Sequence, residues 1–416
     1  MPASPTSPET QAARRLLSAA AVRERAHWLL DHGLAGRLDH FAVDLGRLDA
    51  CADEVVKTIR ASYPTLEIPF HARWRHFSAG GLDRWGSIVP MAPWTETPAM
   101  ARAAFDLAIV SVLLDAGAGP DWRYEEGRTG ETFSRSEGLA VASFDLFISG
   151  AFSSRPDDPF RVDADALMAF SAEELARGFQ AGPENPLVGI EGRAALLNRL
   201  GAIVAESPDV FGRADSPRPG GLFDLLAEQA GGRALPAPAI LEALLLHLGA
   251  IWPGRIALGG VNLGDTWRHP LAEAPAGTDG LVPFHKLSQW LSYSLIEPLE
   301  WAEIAVADIN GLTGLPEYRN GGLFLDTGVI ALKDSSEAEA AHEVGSRLVV
   351  EWRALTVALL DRIAPLVRAK LGLSEEALPL ARVLEGGTWA AGRRLAREKR
   401  ADGAPPLSVV SDGTVF

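Results

Sequence analysis

Cysteine is almost missing from this 416-residue chain. Cys51 stands alone, so the sequence offers no internal disulfide and no cysteine-built metal site. Lysine is nearly as scarce: Lys57, Lys286, Lys333, Lys370 and Lys399 are the only five among 39 basic residues, so almost all positive charge is guanidinium and each lysine needs a reason. Positive charge as a whole is in deficit. Fifty-four acidic residues leave a net charge of −15, a field that repels polyanions and argues against a general nucleic-acid binder. No stretch approaches ~18 uninterrupted apolar residues, and Pro2 to Glu9 has no apolar core of a leader, so neither a membrane span nor secretion is expected and a reducing cytoplasm fits. The nine histidines are scattered without ligand spacing, His71 and His76 being the one pair worth watching, so no metal and no organic cofactor are expected.

What remains is 47% hydrophobic and 22% charged, the balance of a globular chain with ample core. Apolar residues recur at helical spacing from Gln11 to Ser62, over Met100–Leu114, and in windows at Asp163–Phe179, Glu191–Glu206, Leu222–Gln229, Ala239–Leu248, Phe284–Ile309, Ser336–Leu371 and Glu375–Arg400. The pattern predicts a mainly α fold, with short strands at Leu323–Leu332 and Leu407–Phe416, the latter turning at Asp412-Gly413. Residues 1–10 read as a tail, and 11–416 as one helical domain, divisible into lobes at about 11–180 and 181–416 with an active site between them. Ile68–Trp94 and Asp121–Gly138, crowded with Gly, Pro, Arg and Trp, read as long functional loops.

Four segments carry chemistry. Arginines alternate with aromatics through Arg73-Trp74-Arg75-His76-Phe77, a lining suited to a phosphate or a flat polar ligand; the ordinary alternative is arginines pairing with the many carboxylates. Gly189 to Arg193 opens a helix, where backbone N–H groups beside Arg193 could hold an anion. Lys286, Gln289 and Tyr293 share one face of a predicted helix. A Gly/Pro turn follows, read as hairpin-like, and delivers two carboxylates, Glu317 and Asp326, with Tyr318, Arg319 and Asn320 between them. That set suits glycosidic cleavage: a carboxylate stabilises a sugar cation or activates water, while a cation helps the departing nitrogen.

Arg73-Trp74-Arg75-His76-Phe77, Phe284-His285-Lys286, Pro316-Glu317-Tyr318-Arg319-Asn320-Gly321-Gly322 and the ending from Pro405-Pro406 to Ser411-Asp412-Gly413-Thr414-Val415-Phe416 occur in order across almost the whole chain. Together they resemble the uracil catabolism protein 4 family of fungi and bacteria, placed in a pathway that opens the uracil ring as its ribonucleotide and degrades a ribosylurea-type intermediate. Phe284-His285-Lys286-x-x-Gln289, followed by Leu312-Thr313 and Glu317-Tyr318-Arg319, is more distantly similar to the queuosine 5′-phosphate N-glycosidase family, whose fold is related to helix-hairpin-helix DNA glycosylases. That similarity implies a glycosylase-like helical core and puts Glu317 where those hydrolases carry a catalytic aspartate. His285 replaces their tyrosine. The longer glutamate keeps the chemistry but alters its reach, so Asp326 remains an alternative for the same role.

The expectation is an N-ribosidase that cleaves a ribosylurea 5′-phosphate-type intermediate to urea and ribose 5-phosphate. Catalysis would fall to Glu317 or Asp326 with Lys286; Arg73, Arg75, His76, Arg193, His285, Gln289, Tyr318, Arg319 and Asn320 would bind substrate. The partners implied are a small ribose-phosphate or ureido substrate and the other enzymes of pyrimidine degradation, with no nucleic acid and no membrane. Two alternatives stay open: a hydrolase attacking the urea carbon, and a non-catalytic protein that binds the intermediate or scaffolds the pathway.

Overall fold

Ser7 caps the first helix, Pro8–Leu16, accepting from the Thr10 N–H, with Pro8 at the position where a missing N–H costs nothing. Helical structure therefore begins inside the stretch read as a tail. The computed structural model describes residues 7–115, 117–212, 215–252, 255–274 and 277–410. Helices dominate it, and strands occur only as pairs of two or three residues, so the fold is mainly α.

The chain divides into two compact units, both discontinuous in sequence. One comprises Met1–His71, Gly254–Gln289 and Asp308–Phe416; the other comprises Ala72–Pro253 and Trp290–Ala307. The division thus interleaves the chain instead of cutting it once near residue 180.

The first unit is built on α1 (Ala19–Leu34), α2 (Leu48–Ser62), the start of α3 (Lys286–Trp301), α4 (Tyr318–Asp326), α5 (Arg347–Leu371) and α6 (Trp389–Lys399). The long helix α5 is its axis: α1, α2 and α4 pack on it, and α4 packs on α6. Val349, Val350, Leu355, Ala358, Leu359 and Ile363 of α5 are wholly buried, as are Val22, Leu29 and Leu30 of α1 and Val55 and Ile59 of α2. At roughly 1.5–3 kcal/mol for each fully buried large aliphatic side chain, this interior supplies the main stabilising term. Phe41–Val43 pairs antiparallel with Ile330–Leu332, Thr266–Arg268 with Leu281–Pro283, and Ala341–Glu343 runs parallel to Ser408–Val410. The C-terminal strand is present as far as it can be followed; Asp412-Gly413 and the ending motif from Ser411 lie outside the described residues.

In the second unit Thr97–Leu113 is apolar on nearly every side and buried, with Arg135–Ile148 packed against it. Ile190–Glu206 packs on Ala164–Ala169 and Ala172–Gly178, the two short helices into which the Asp163–Phe179 window breaks at Phe170-Ser171. The tryptophan-rich stretch after His71 is not loop throughout. Arg73–Phe77 and Arg84–Ile88 are short helices, the latter capped by Asp83 accepting from Gly86. Trp74, Trp85 and Trp301 interlock at 4.7–6.0 Å between ring centroids, so the aromatic content is core and its burial folds the segment.

Two further expectations need correction. The segment Asn310–Asp326 is not a hairpin, and Leu323–Leu332 is not a strand. A single 3₁₀ turn, Ile309–Gly311, leads through extended backbone to Glu317, which caps α4; α4 runs to Asp326, and strand begins only at Ile330. The glycines that read as turn signals serve close packing instead. A Cβ on Gly321 would sit 2.6 Å from Trp352 Nε1, and one on Gly314 2.5 Å from Leu360, both side chains belonging to α5. The Ser336–Leu371 window likewise holds a 3₁₀ turn and a strand before α5, which starts only where Ser346 caps it.

Candidate functional site

Glu317 lies in extended backbone just before α4, and both of its carboxylate oxygens are used as a helix cap. Oε2 accepts the Arg319 N–H at 2.8 Å and Oε1 the Asn320 N–H at 2.5 Å. The negative charge sits at the positive end of the helix, fixed in one orientation, and each oxygen keeps a lone pair for a further contact. Asn320 is buried, its amide N–H₂ donating to the Leu315 carbonyl at 3.2 Å.

The lysine helix and this segment are joined by Gln289, fully buried one turn into α3. Its carbonyl accepts the Thr313 N–H at 2.8 Å, and its amide donates to the Thr313 hydroxyl and to the Phe284 carbonyl. Gln289 thus ties the first turn of α3 to the Thr313 backbone. Lys286 is the first residue of α3 and half-buried. Its backbone N–H donates to Asp265 Oδ2 at 3.0 Å, so the cap of α3 comes from a residue 21 positions earlier. The residue before it cannot cap: His285 is buried, has a left-handed φ of 48°, and its Nε2 sits 2.9 Å from the Leu16 carbonyl. Burial holds the His285 imidazole below its usual pKa and so neutral.

Asp265 was not singled out in the sequence. Burial would raise its pKa, but the Arg353 guanidinium in a two-bond fork at 2.7 and 2.8 Å, the Lys286 N–H and the Trp267 indole hold it well below the carboxylate range. No motif marks it, because Lys286 and Arg353 come from distant parts of the chain and only Trp267 is a sequence neighbour. Asp326 ends α4 and makes a two-bond fork with Arg400 at 2.8 and 2.6 Å, with only 5% of its side chain exposed.

A second wall of the first unit was read as continuous helix, yet Glu375–Arg400 is interrupted. Leu380–Val383 is followed by a π-turn, Leu384–Thr388, before α6, and such bulges recur at functional sites. From the bulge Glu385 contacts His71 Nδ1 at 2.7 Å, and His71 lies 5.9 Å from the Trp389 ring. The Arg319 guanidinium stacks on the same ring at 4.2 Å, with Tyr318 5.3 Å from it and Arg393 5.5 Å from Trp389. Gly392 permits this: a Cβ there would lie 2.1 Å from the Arg319 carbonyl, so α4 and α6 touch backbone to backbone. The signal available in sequence was Gly386-Gly387-Thr388-Trp389 inside a helical window.

The remaining candidates lie in the second unit. Arg73 is wholly buried, ion-paired to Asp115 at 3.0 Å and hydrogen-bonded to Ser111, and burial lowers its pKa despite that carboxylate. Arg75 pairs with Glu297 at 2.6 Å. His76 sits edge-on to Trp290 at 5.7 Å. Arg193 donates to the carbonyls of Leu114, Gly117 and Val188, and burial pulls its pKa down to about 10. That guanidinium ties loops together at the start of Ile190–Glu206. Among the described residues no group of three His, Cys, Asp or Glu could hold a metal ion, and no helix is long and apolar enough to cross a membrane.

Fold and site together define a mainly α-helical protein whose first unit contains a capping carboxylate, a helix-start lysine and an arginine over a tryptophan ring. The chain belongs to the uracil catabolism protein 4 family. It is 37% identical to Uracil catabolism protein 4 of Lachancea kluyveri, over 96% of this chain and 98% of that protein. It is 40% identical to Protein urg3 of Schizosaccharomyces pombe, over 98% and 100% respectively. The family model described as "Protein of unknown function (DUF1688)" matches residues 15–416.

Proposed function

We propose that this protein acts in uracil degradation as an N-ribosidase, hydrolysing the C1′–N bond of a ribosylurea 5′-phosphate. The relative named Uracil catabolism protein 4 supports the pathway. The observation that carries the chemistry is Glu317, a carboxylate pinned by two backbone N–H groups and connected through Thr313 and Gln289 to the helix that begins at Lys286. As the C1′–N bond breaks, its electron pair leaves on the urea nitrogen and positive charge develops at C1′ and the ring oxygen. A fixed anion stabilises that charge most effectively when it needs no reorientation, which is what the cap provides. Water then adds to C1′ from the face that Glu317 addresses, its proton passing to the carboxylate or solvent, while Lys286 donates to the departing nitrogen. The products are urea and ribose 5-phosphate, and hydrolysis of this kind calls for no organic cofactor. Asp326, engaged by Arg400, serves as a support. A helix-hairpin-helix glycosylase-like core, a cytoplasmic location and work alongside other pyrimidine-degrading enzymes belong to the same reading.

The test is incubation of the pure protein with ribosylurea 5′-phosphate, followed by assay of urea and ribose 5-phosphate. Ammonia and carbon dioxide in place of urea would mean attack on the urea carbon, and activity lost in EDTA but restored by zinc would point the same way. Tight binding without turnover would make the protein a carrier or scaffold.

A further inference from the structure

We infer that Arg319, whose guanidinium carbon lies over the Trp389 ring, is the receptor for a phosphate monoester on the ligand, and that this corner rather than the arginine-rich stretch at Arg73–Arg75 recognises the anion. The sugar's identity rests on the N-ribosidase reading; the anion site does not. In a chain with this excess of carboxylates, an arginine ordinarily finds one. Arg73 and Arg75 have done so, and Arg193 is spent on three carbonyls. Arg319 has not: among the described residues its guanidinium makes no ion pair and no hydrogen bond, only the stacking contacts with Trp389 and Tyr318, and it is half-buried rather than dispersed in solvent.

A guanidinium stacked by its face keeps all its N–H groups in the plane, directed outward at the edges. Stacking also fixes the plane in advance, so an oxyanion can take two parallel bonds without first ordering a flexible side chain. Arg319 belongs to the same helix start as Glu317, its own backbone N–H being one of the two that hold that carboxylate. On the opposite element, Arg393 brings a second positive charge to the same indole. Just before Trp389 in sequence, at the end of the π-turn, the buried Thr388 hydroxyl makes no hydrogen bond among the described residues. Gly392 shows the arrangement to be specific, because any side chain there would push α6 off the Arg319 backbone and separate arginine from tryptophan.

The experiment measures binding of ribose 5-phosphate, inorganic phosphate and ribose to the full chain by calorimetry, in the wild type and in Arg319→Gln, Arg319→Lys and Trp389→Leu. The wild type is expected to prefer ribose 5-phosphate to ribose by ~10–100-fold, the range of one charge-assisted bond. Arg319→Gln should reduce that preference to within about 3-fold, and Arg319→Lys, which keeps the charge but not the planar fork, should fall between. Trp389→Leu should weaken ribose 5-phosphate more than ribose. Wild-type discrimination that survives Arg319→Gln, or no discrimination in the wild type, overturns the inference. Arg319-dependent binding of ribose 5-phosphate in a protein that fails to cleave ribosylurea 5′-phosphate would sustain the anion site while removing the N-ribosidase reading.

Discussion

Replacing Glu317 with glutamine separates two roles that the structure places on one side chain. Glutamine is normally a silent shape mimic, but here both oxygens accept backbone N–H groups, so its amide nitrogen must face either Arg319 N–H or Asn320 N–H, donor against donor. One capping bond is lost, ~0.5–2 kcal/mol, together with the charge at the helix start, ~0.3–1 kcal/mol, so a loss of roughly 1–3 kcal/mol in stability is expected. Subtracted from even the low end of typical stabilities, about 5 kcal/mol, the largest such loss still leaves about 97% of the protein folded. Turnover should nevertheless fall ~10²–10⁴-fold, equivalent to about 3–5 kcal/mol of barrier, which unfolding cannot account for. Glu317→Asp is the complement: aspartate caps well and keeps the charge, so stability should change by less than about 0.5 kcal/mol while the retracted carboxylate slows turnover ~10–100-fold. Urea release and a chemical-denaturation curve on the same preparations decide the matter. If Glu317→Gln turns over within 3-fold of the wild type, Glu317 is a cap and nothing more, and the mechanism built on it fails.

Asp326→Asn should break the Arg400 fork and lower stability by ~1–3 kcal/mol, with turnover within about 3-fold; a folded, stable but inactive variant would transfer the catalytic role to Asp326. Gln289→Ala should leave the buried Thr313 N–H without its acceptor and cost ~1–3 kcal/mol, and amide exchange at Thr313 should accelerate; an unchanged exchange rate would show that the tie between α3 and this segment is dispensable. Asp265 gives a pH test. Its folded pKa is depressed, so its contribution to stability is present above the unfolded value of about 3.9 and is lost as pH falls below it. The stability gap between wild type and Asp265→Asn should therefore be level from about pH 5 to 7 and narrow below about pH 4; a gap that widens on acidification would refute the assignment.

The sequence by itself determined the class of structure and the order of its motifs. Apolar residues at helical spacing over Val22–Leu30 mark that segment as a helix with one stripe facing a core, whereas the long apolar run of α5 becomes a helix buried on every side from Leu348 to Leu360. The lone cysteine and the acidic excess likewise fixed what the chain could not be built from. What it left open was every feature set by a partner far along the chain. Gly321 and Gly322 read as turn residues, and only Trp352, some thirty positions away, shows Gly321 to be a packing residue inside a helix. Arg73, Arg75 and Arg193 read as an anion surface until Asp115, Glu297 and three carbonyls claim them. Asp265 caps α3 and forks with Arg353, partners 21 and 88 positions further along the chain that no local pattern marks. Local periodicity is a property of consecutive residues and survives in the sequence. Whether a charge is already neutralised, or a glycine is needed for contact rather than for turning, depends on residues that only the folded chain brings within 3 Å, and that was for the tertiary structure to decide.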